Sequence, residues 1–137
     1  SDLLELVLVA AKGERLPNQV KWRRGAAVGV VMASRGYPAS SSKGDPIAGS
    51  EEASELEGVE VFHAATAGSD GGLVTSGGRV LTVTGLGDTF AQARARAYGA
   101  VAKISFEGAQ SRSDIALRAE KWEADQSAQR GAGADGG

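Results

Sequence analysis

The chain has 137 residues and a formal net charge of −2, with 15 Lys and Arg against 17 Asp and Glu, a size for one domain with one modest core. This mixed balance excludes the strong basic excess of a general nucleic-acid or membrane-surface binder. The lack of cysteine excludes a disulfide framework and a thiolate metal site, and the single histidine, His63, leaves little for a zinc centre.

Asp2 and Glu5 have the D-x-x-E spacing of a helix start and predict a helix over Leu3–Lys12, closed by Gly13. Its residues Leu3, Leu4, Leu6, Val7, Leu8 and Val9 put apolar groups on nearly every side. A helix apolar all round belongs inside something large, so the segment reads as the end of a larger body whose N-terminal part is missing. Glu14–Arg24, with Pro17, reads as a polar connector in which Trp22 serves as a lid on the core. Ala26–Ser34 is a short continuous apolar run, expected to be a strand covered on both faces. Arg35–Gly49 follows as a long loop carrying Gly36, Tyr37, Pro38, Lys43 and Gly44, and long loops in compact domains are often functional.

Ser50–Gly58 is an acidic spacer, and Val59–Thr66 predicts a strand with His63 on the face of Val59 and Val61, opposite Phe62. His63 there reads as a hydrogen-bonded structural residue. Ala67–Gly72 predicts a turn. In Leu73–Gly87, two apolar, β-branched runs flank Ser76-Gly77-Gly78, the pattern of a hairpin with glycine supplying φ > 0, and Arg79 follows at once. Glycine amides beside a guanidinium can hold an anion. Thr89 and Gln92 form a capping box for a helix carrying Phe90, Ala93, Ala97, Val101 and Ile104. Ser113 or Asp114 is expected to cap a last helix bearing Ile115, Ala119 and Trp122, and the glycine-rich segment from Gln126 is expected to be a disordered tail. With 20 glycines and few aromatics, the whole reads as a loop-rich α+β domain. No membrane-spanning apolar run or signal peptide stands out, so a cytoplasmic location without membrane attachment is expected.

The residues show no nucleophile elbow, no phosphate-cradling Walker loop and no dinucleotide fingerprint; Gly85-Leu86-Gly87 is only G-x-G. By themselves they stop at a non-catalytic accessory domain that binds an anion and assembles with another chain. A carrier module would need a modifiable lysine at a hairpin tip with apolar flanks, and Lys43 sits in Ser-Ser-Lys-Gly.

Taken in order, however, the motifs are specific. Ala26–Pro38 (AAVGVVMASRGYP) leads into Lys43–Gly49 (KGDPIAG), then Val61–Ala64 (VFHA), Val74–Leu81 (VTSGGRVL), Ala97-Tyr98, Arg112–Ile115 (RSDI) and Arg118-Ala119. This set resembles the C-terminal part of the phosphoribosylamine–glycine ligase (glycinamide ribonucleotide synthetase) family of ATP-grasp ligases, over about residues 1–122. The resemblance implies a small mixed β half-barrel of the rudimentary hybrid-motif type with packed helices, preceded by the last helix of an ATP-grasp core. It divides the chain into residues 1–24 (core tail and connector), 25–125 (C-terminal domain) and 126–137 (tail).

The reaction implied joins glycine to 5-phosphoribosylamine in de novo purine biosynthesis, using ATP and Mg²⁺ or Mn²⁺ bound mainly in missing N-terminal ATP-grasp domains. The fragment alone would be inactive and would close one wall of the substrate cleft. On this resemblance Gly77, Gly78 and Arg79 are the candidates for the substrate phosphate. Gly36, Tyr37, Pro38, Lys43 and Gly44 come second, as residues that either touch ligand or fix their loop, and His63 and Thr66 third. Two departures weaken the carry-over locally: Ala65 stands where the family usually has glycine, and Ser76 where it usually has asparagine.

Overall fold

The computed structural model describes residues 1–132, in the order α1 (Leu3–Ala11), β1 (Ala26–Ala33), α2 (Ser50–Ser54), β2 (Val59–His63), β3 (Thr66–Ser69), β4 (Gly72–Thr75), β5 (Arg79–Gly87), α3 (Phe90–Val101) and α4 (Leu117–Ala132). The strands form two antiparallel sheets, β1-β5-β2 and the pair β3-β4. This is the expected mixed α+β domain.

β5 is the middle strand of the larger sheet. Val80, Leu81 and Val83 are fully buried, and with Met32, Val59, Ile104 and Phe106 they form the main core. α3 covers this face. Its buried side is all alanine (Ala93, Ala97, Ala100), which lets the helix lie close on the strand. A Cβ on Gly85 would collide with the Ala93 carbonyl oxygen and come within 2.5 Å of the Ala97 nitrogen; one on Gly87 would come within 2.7 Å of the Ala93 nitrogen. These glycines therefore do not break the strand. They remain in it, and the absence of a side chain is what admits the helix. Thr89 caps α3 as expected, its hydroxyl accepting from the Gln92 amide. The helix ends at Val101, so Ile104 is buried from the following turn.

No helix among the described residues covers the other face of the sheet. In β1, Val28, Val30 and Met32 are buried while Ala27, Gly29 and Val31 are exposed. The expected two-sided burial of this strand is therefore wrong: an antiparallel sheet with one helical layer covers one face only. Phe62 of β2 is exposed on the same open side.

Other expectations also change. The expected strand Val59–Thr66 ends at His63, and Thr66–Ser69 is a separate strand running into the expected turn Ala67–Gly72; the TAGS segment is short and small, so it carries no strand pattern. The acidic spacer contains the short helix α2, whose Ala53 is buried. Trp22 is 86% exposed and does not cover the core. α1 forms at the expected place, with Asp2 Oδ1 accepting from the Leu4 and Glu5 amides. None of its residues is buried, and Leu3 and Leu4 are more than 70% exposed.

Neither Ser113 nor Asp114 caps the last helix, and Ile115 precedes it. Arg94 of α3 instead holds this approach segment, donating to the Ser113 (2.7 Å) and Ile115 (3.0 Å) carbonyls and lying over the Tyr98 ring. α4 continues to Ala132, past the expected start of the tail at Gln126; positions 133–137 of that expectation lie outside the described residues. No helix among the described residues is long and apolar enough to cross a membrane.

The close approach of α3 predicts that Gly85→Ala lowers unfolding stability by at least about 2 kcal/mol through overpacking. Gly99→Ala, on the same helix where nothing lies within 4 Å, should be neutral or stabilise by up to about 1 kcal/mol. Urea denaturation of both variants checks the contrast.

Candidate functional site

The candidate site depends on an irregularity where β5 begins. Met32 pairs with Leu81, but the next residue, Ala33, pairs with Arg79, so Val80 is an extra residue in β5. In a regular strand Arg79 would share the inward face of Leu81 and Val83. The bulge lets Val80 and Leu81 both point into the core and turns Arg79 to the open face with Thr82. Neighbouring segments hold it there. Ala64 and Ala65 donate to the Val80 and Arg79 carbonyls (both 3.0 Å), and the Ser34 amide donates to the Gly78 carbonyl (2.8 Å).

Ser76-Gly77-Gly78 is not the turn of a hairpin. β4 pairs with β3 and β5 pairs with β1 and β2, so these residues pass the chain from one sheet to the other. Neither Gly77 nor Gly78 has positive φ. Their requirement is space: a Cβ on Gly78 would come within 2.5 Å of the Tyr37 ring, and one on Gly77 would sit 3.0 Å from the Ala65 Cβ. Ala65, where the resemblance led to glycine, has negative φ and is accommodated.

Arg79, Gly78 and Tyr37 line one open groove of about 550 Å³ with Val31, Ala64, Ala65 and Thr82. Arg79 is exposed and makes no ion pair or side-chain hydrogen bond with any described residue. Several other arginines are used internally: Arg35 pairs with Glu107, Arg94 with Glu120, Arg96 with Glu57 and Arg112 with Asp114. Tyr37 and Val31 also border a second, mainly apolar groove of about 470 Å³ with Pro38, Gln110, Arg112 and Ile115. The hydrogen bond from Arg112, together with its charge, holds the Asp114 carboxyl below the usual carboxylate range. An anion at Arg112 would have to displace that carboxylate; at Arg79 there is nothing to displace.

The remaining sequence candidates are elsewhere. Gly36 has φ +85 and packs against Ser40 in its own loop. Lys43 is exposed, and neither it nor Gly44 lines either groove. His63 is on the other side of β2 from Phe62, its Nδ1 3.2 Å from Thr66 Oγ1, in a separate depression with Ser50, Glu51 and Leu73. Val31, Ala64 and Thr82 are not site candidates in the sequence, and Ala65 enters there only as a departure from the family pattern. Only Thr82, alternating with buried neighbours, carried any signal.

Residues 27–118 match the family model described as phosphoribosylglycinamide synthetase, C domain. The chain belongs to that family. Among its relatives, the phosphoribosylamine–glycine ligase of Neisseria meningitidis serogroup A is 48% identical over 120 residues, covering 87% of this chain and 28% of the relative. That of Rhizobium meliloti is 49% identical over 119 residues, with the same two shares. The crystal structure of phosphoribosylamine–glycine ligase from Thermotoga maritima superposes with a TM-score of 0.68 at 40% identity, over 81% of this chain and 26% of that one. The chain thus spans little more than a quarter of the length of the ligases it matches.

The Gly78–Tyr37 contact predicts that Gly78→Ala costs about 1–3 kcal/mol of stability by forcing the ring aside. Combining it with Tyr37→Ala should recover most of that loss. A double-mutant cycle by chemical denaturation should give a coupling of at least about 1 kcal/mol.

Proposed function

We propose that this chain is the C-terminal part of an ATP-dependent phosphoribosylamine–glycine ligase acting in de novo purine biosynthesis in the cytoplasm. In this reading its sheets form the half-barrel that closes one wall of the substrate cleft, and α1 with its connector is the tail of the ATP-grasp core. The observation that carries the site assignment is Arg79: exposed, without an ion-pair partner among the described residues, and turned by the Val80 bulge into one groove with Gly78 and Tyr37.

In the overall reaction ATP activates the glycine carboxylate as an acyl phosphate, and the amine of 5-phosphoribosylamine attacks it. The task assigned to this chain is to hold the sugar-phosphate end of the amine substrate. The Arg79 guanidinium takes phosphate oxygens in a charge-assisted pair, Gly78 lets the Tyr37 ring pack close beside it, and Tyr37 and Val31 wall off the ribosyl portion. Fixing the far end of the substrate orients its amine and helps keep water from the acyl phosphate. Among the described residues no group of three or more His, Asp or Glu side chains could hold a metal ion. This reading assigns the metal and ATP to the rest of the ligase.

In the full-length ligase, Arg79→Ala should raise the KM for phosphoribosylamine by the equivalent of about 2–3 kcal/mol and leave the KM for ATP nearly unchanged. An unchanged KM for the sugar phosphate in steady-state assays would remove the phosphate role.

A free-standing accessory domain is the competing reading, and α1 separates the two. Leu3, Leu4, Val7 and Leu8 are all at least half exposed. A patch of that kind normally sits under another surface. The 137-residue chain alone should therefore self-associate in sedimentation velocity and become monomeric with Leu4→Glu and Leu8→Glu. A monodisperse parent chain would favour the accessory domain.

A further inference from the structure

The Lys43-Gly44-Asp45 segment does not reach either groove, yet its hydrogen bonds are concentrated on one residue, the last before the Ser76–Gly78 crossing. Thr75 is 1% exposed. Its hydroxyl accepts from the Asp45 amide (3.1 Å) and donates to Asp45 Oδ2 (3.2 Å). Its carbonyl accepts from the Gly44 amide (2.7 Å), and its amide donates to the Asp45 carbonyl (2.9 Å). Asp45 Oδ2 also accepts from the Ser42 hydroxyl. Beyond this clamp, the Ile47 amide donates to the Leu73 carbonyl and Pro46 bridges to Val74. Residues 44–47 thus lie along β4 as an added edge.

We propose that Asp45 is a positioning residue: with Ser42 and Thr75 it fixes the exit of β4 and thereby, through Gly77, the placement of Gly78 and Arg79 in the groove. The crossing has two ends. The β5 end is held by the bulge and by Ser34. The β4 end has the Ser76 amide bond to the Ala65 carbonyl (2.9 Å) and otherwise depends on Thr75. A carboxylate oxygen shared by two hydroxyls is a strong local tie, and releasing it would let the crossing move relative to Tyr37. The motif thus acts on the substrate through Thr75, without Lys43 or Gly44 touching it. The link to substrate rests on the phosphate assignment for Arg79; the tie itself does not.

The test uses Asp45→Ala, Thr75→Val and Asp45→Asn in the full-length ligase, with Ser42→Ala as a milder variant that leaves β4 intact. Asp45→Ala and Thr75→Val should each raise the KM for phosphoribosylamine about tenfold, the scale of a small misplacement, with the KM for ATP and glycine unchanged. Asp45→Asn keeps an oxygen where Oδ2 lies and should restore most of the loss; Ser42→Ala should shift the same KM less. Loss of folded enzyme would lower the rate with all three KM values unmoved, so a uniform loss of rate, or KM values rising together, overturns the proposal. Amide hydrogen exchange over residues 76–80 gives an independent readout. It should quicken in Asp45→Ala and Thr75→Val and not in Asp45→Asn; unchanged exchange overturns the tie. Faster exchange together with an Arg79→Ala enzyme of unchanged KM upholds the tie and discards the phosphate assignment alone.

Discussion

The site depends on one extra residue in the central strand. β5 must bury Leu81 and Val83 against α3 and also present a cation to the open face of the same sheet. Strict alternation does not allow this, because Arg79 and Leu81 would share a face. Inserting Val80 as a bulge resolves the conflict without loss of core, since Val80 itself is fully buried. Ala33 still pairs with Arg79 of β5 and exchanges hydrogen bonds with Gln110 along the other edge of β1. That places the 110–115 segment beside the sheet and builds the second groove. The burial of Val80 and the facing of Arg79 into its groove are consequences of the same register shift.

The glycines around this strand serve proximity more than turning. Gly85 and Gly87 admit the alanine face of α3, and Gly78 admits the Tyr37 ring. In each case the neighbour occupies the space a side chain would need. Arginines are similarly divided by surroundings. Arg94 and Arg96 bind backbone carbonyls and carboxylates inside the domain, while Arg79 has no such partner among the described residues. The difference is geometric, because all three side chains are chemically identical.

The chain's share of its relatives, about a quarter of their length, is consistent with a surface that looks unfinished. One sheet face has no helix over it among the described residues, with Val31 and Phe62 exposed, and α1 displays leucines on its outside. Val31 lines the candidate groove, whereas Phe62 and the α1 leucines do not. Under the proposed function both are places where the rest of a larger enzyme meets this domain.

The sequence by itself determined much of this protein. Capping at Asp2 and Thr89, the apolar run of β1 and the alanine spacing of α3 are local signals, and they placed those elements correctly. The ordered motifs resembled the family to which the chain belongs. The sequence also singled out Gly78, Arg79 and Tyr37, which do share a groove, but not how they meet. Ser76–Gly78 read as a hairpin because the flanking runs are strand-like, and nothing local reveals that those strands belong to different sheets. Lys43 and Gly44 stood out by residue type, whereas Asp45, which makes the hydrogen bonds, became visible only against Thr75, thirty positions away. His63 and Arg79 lie on different faces for the same reason: strand pairing and the bulge decide orientation, and both are long-range. Periodicity and capping reside in neighbouring residues and can be read along the chain. Register, bulges and close approaches are set by partners distant in sequence, so only the tertiary structure decided them.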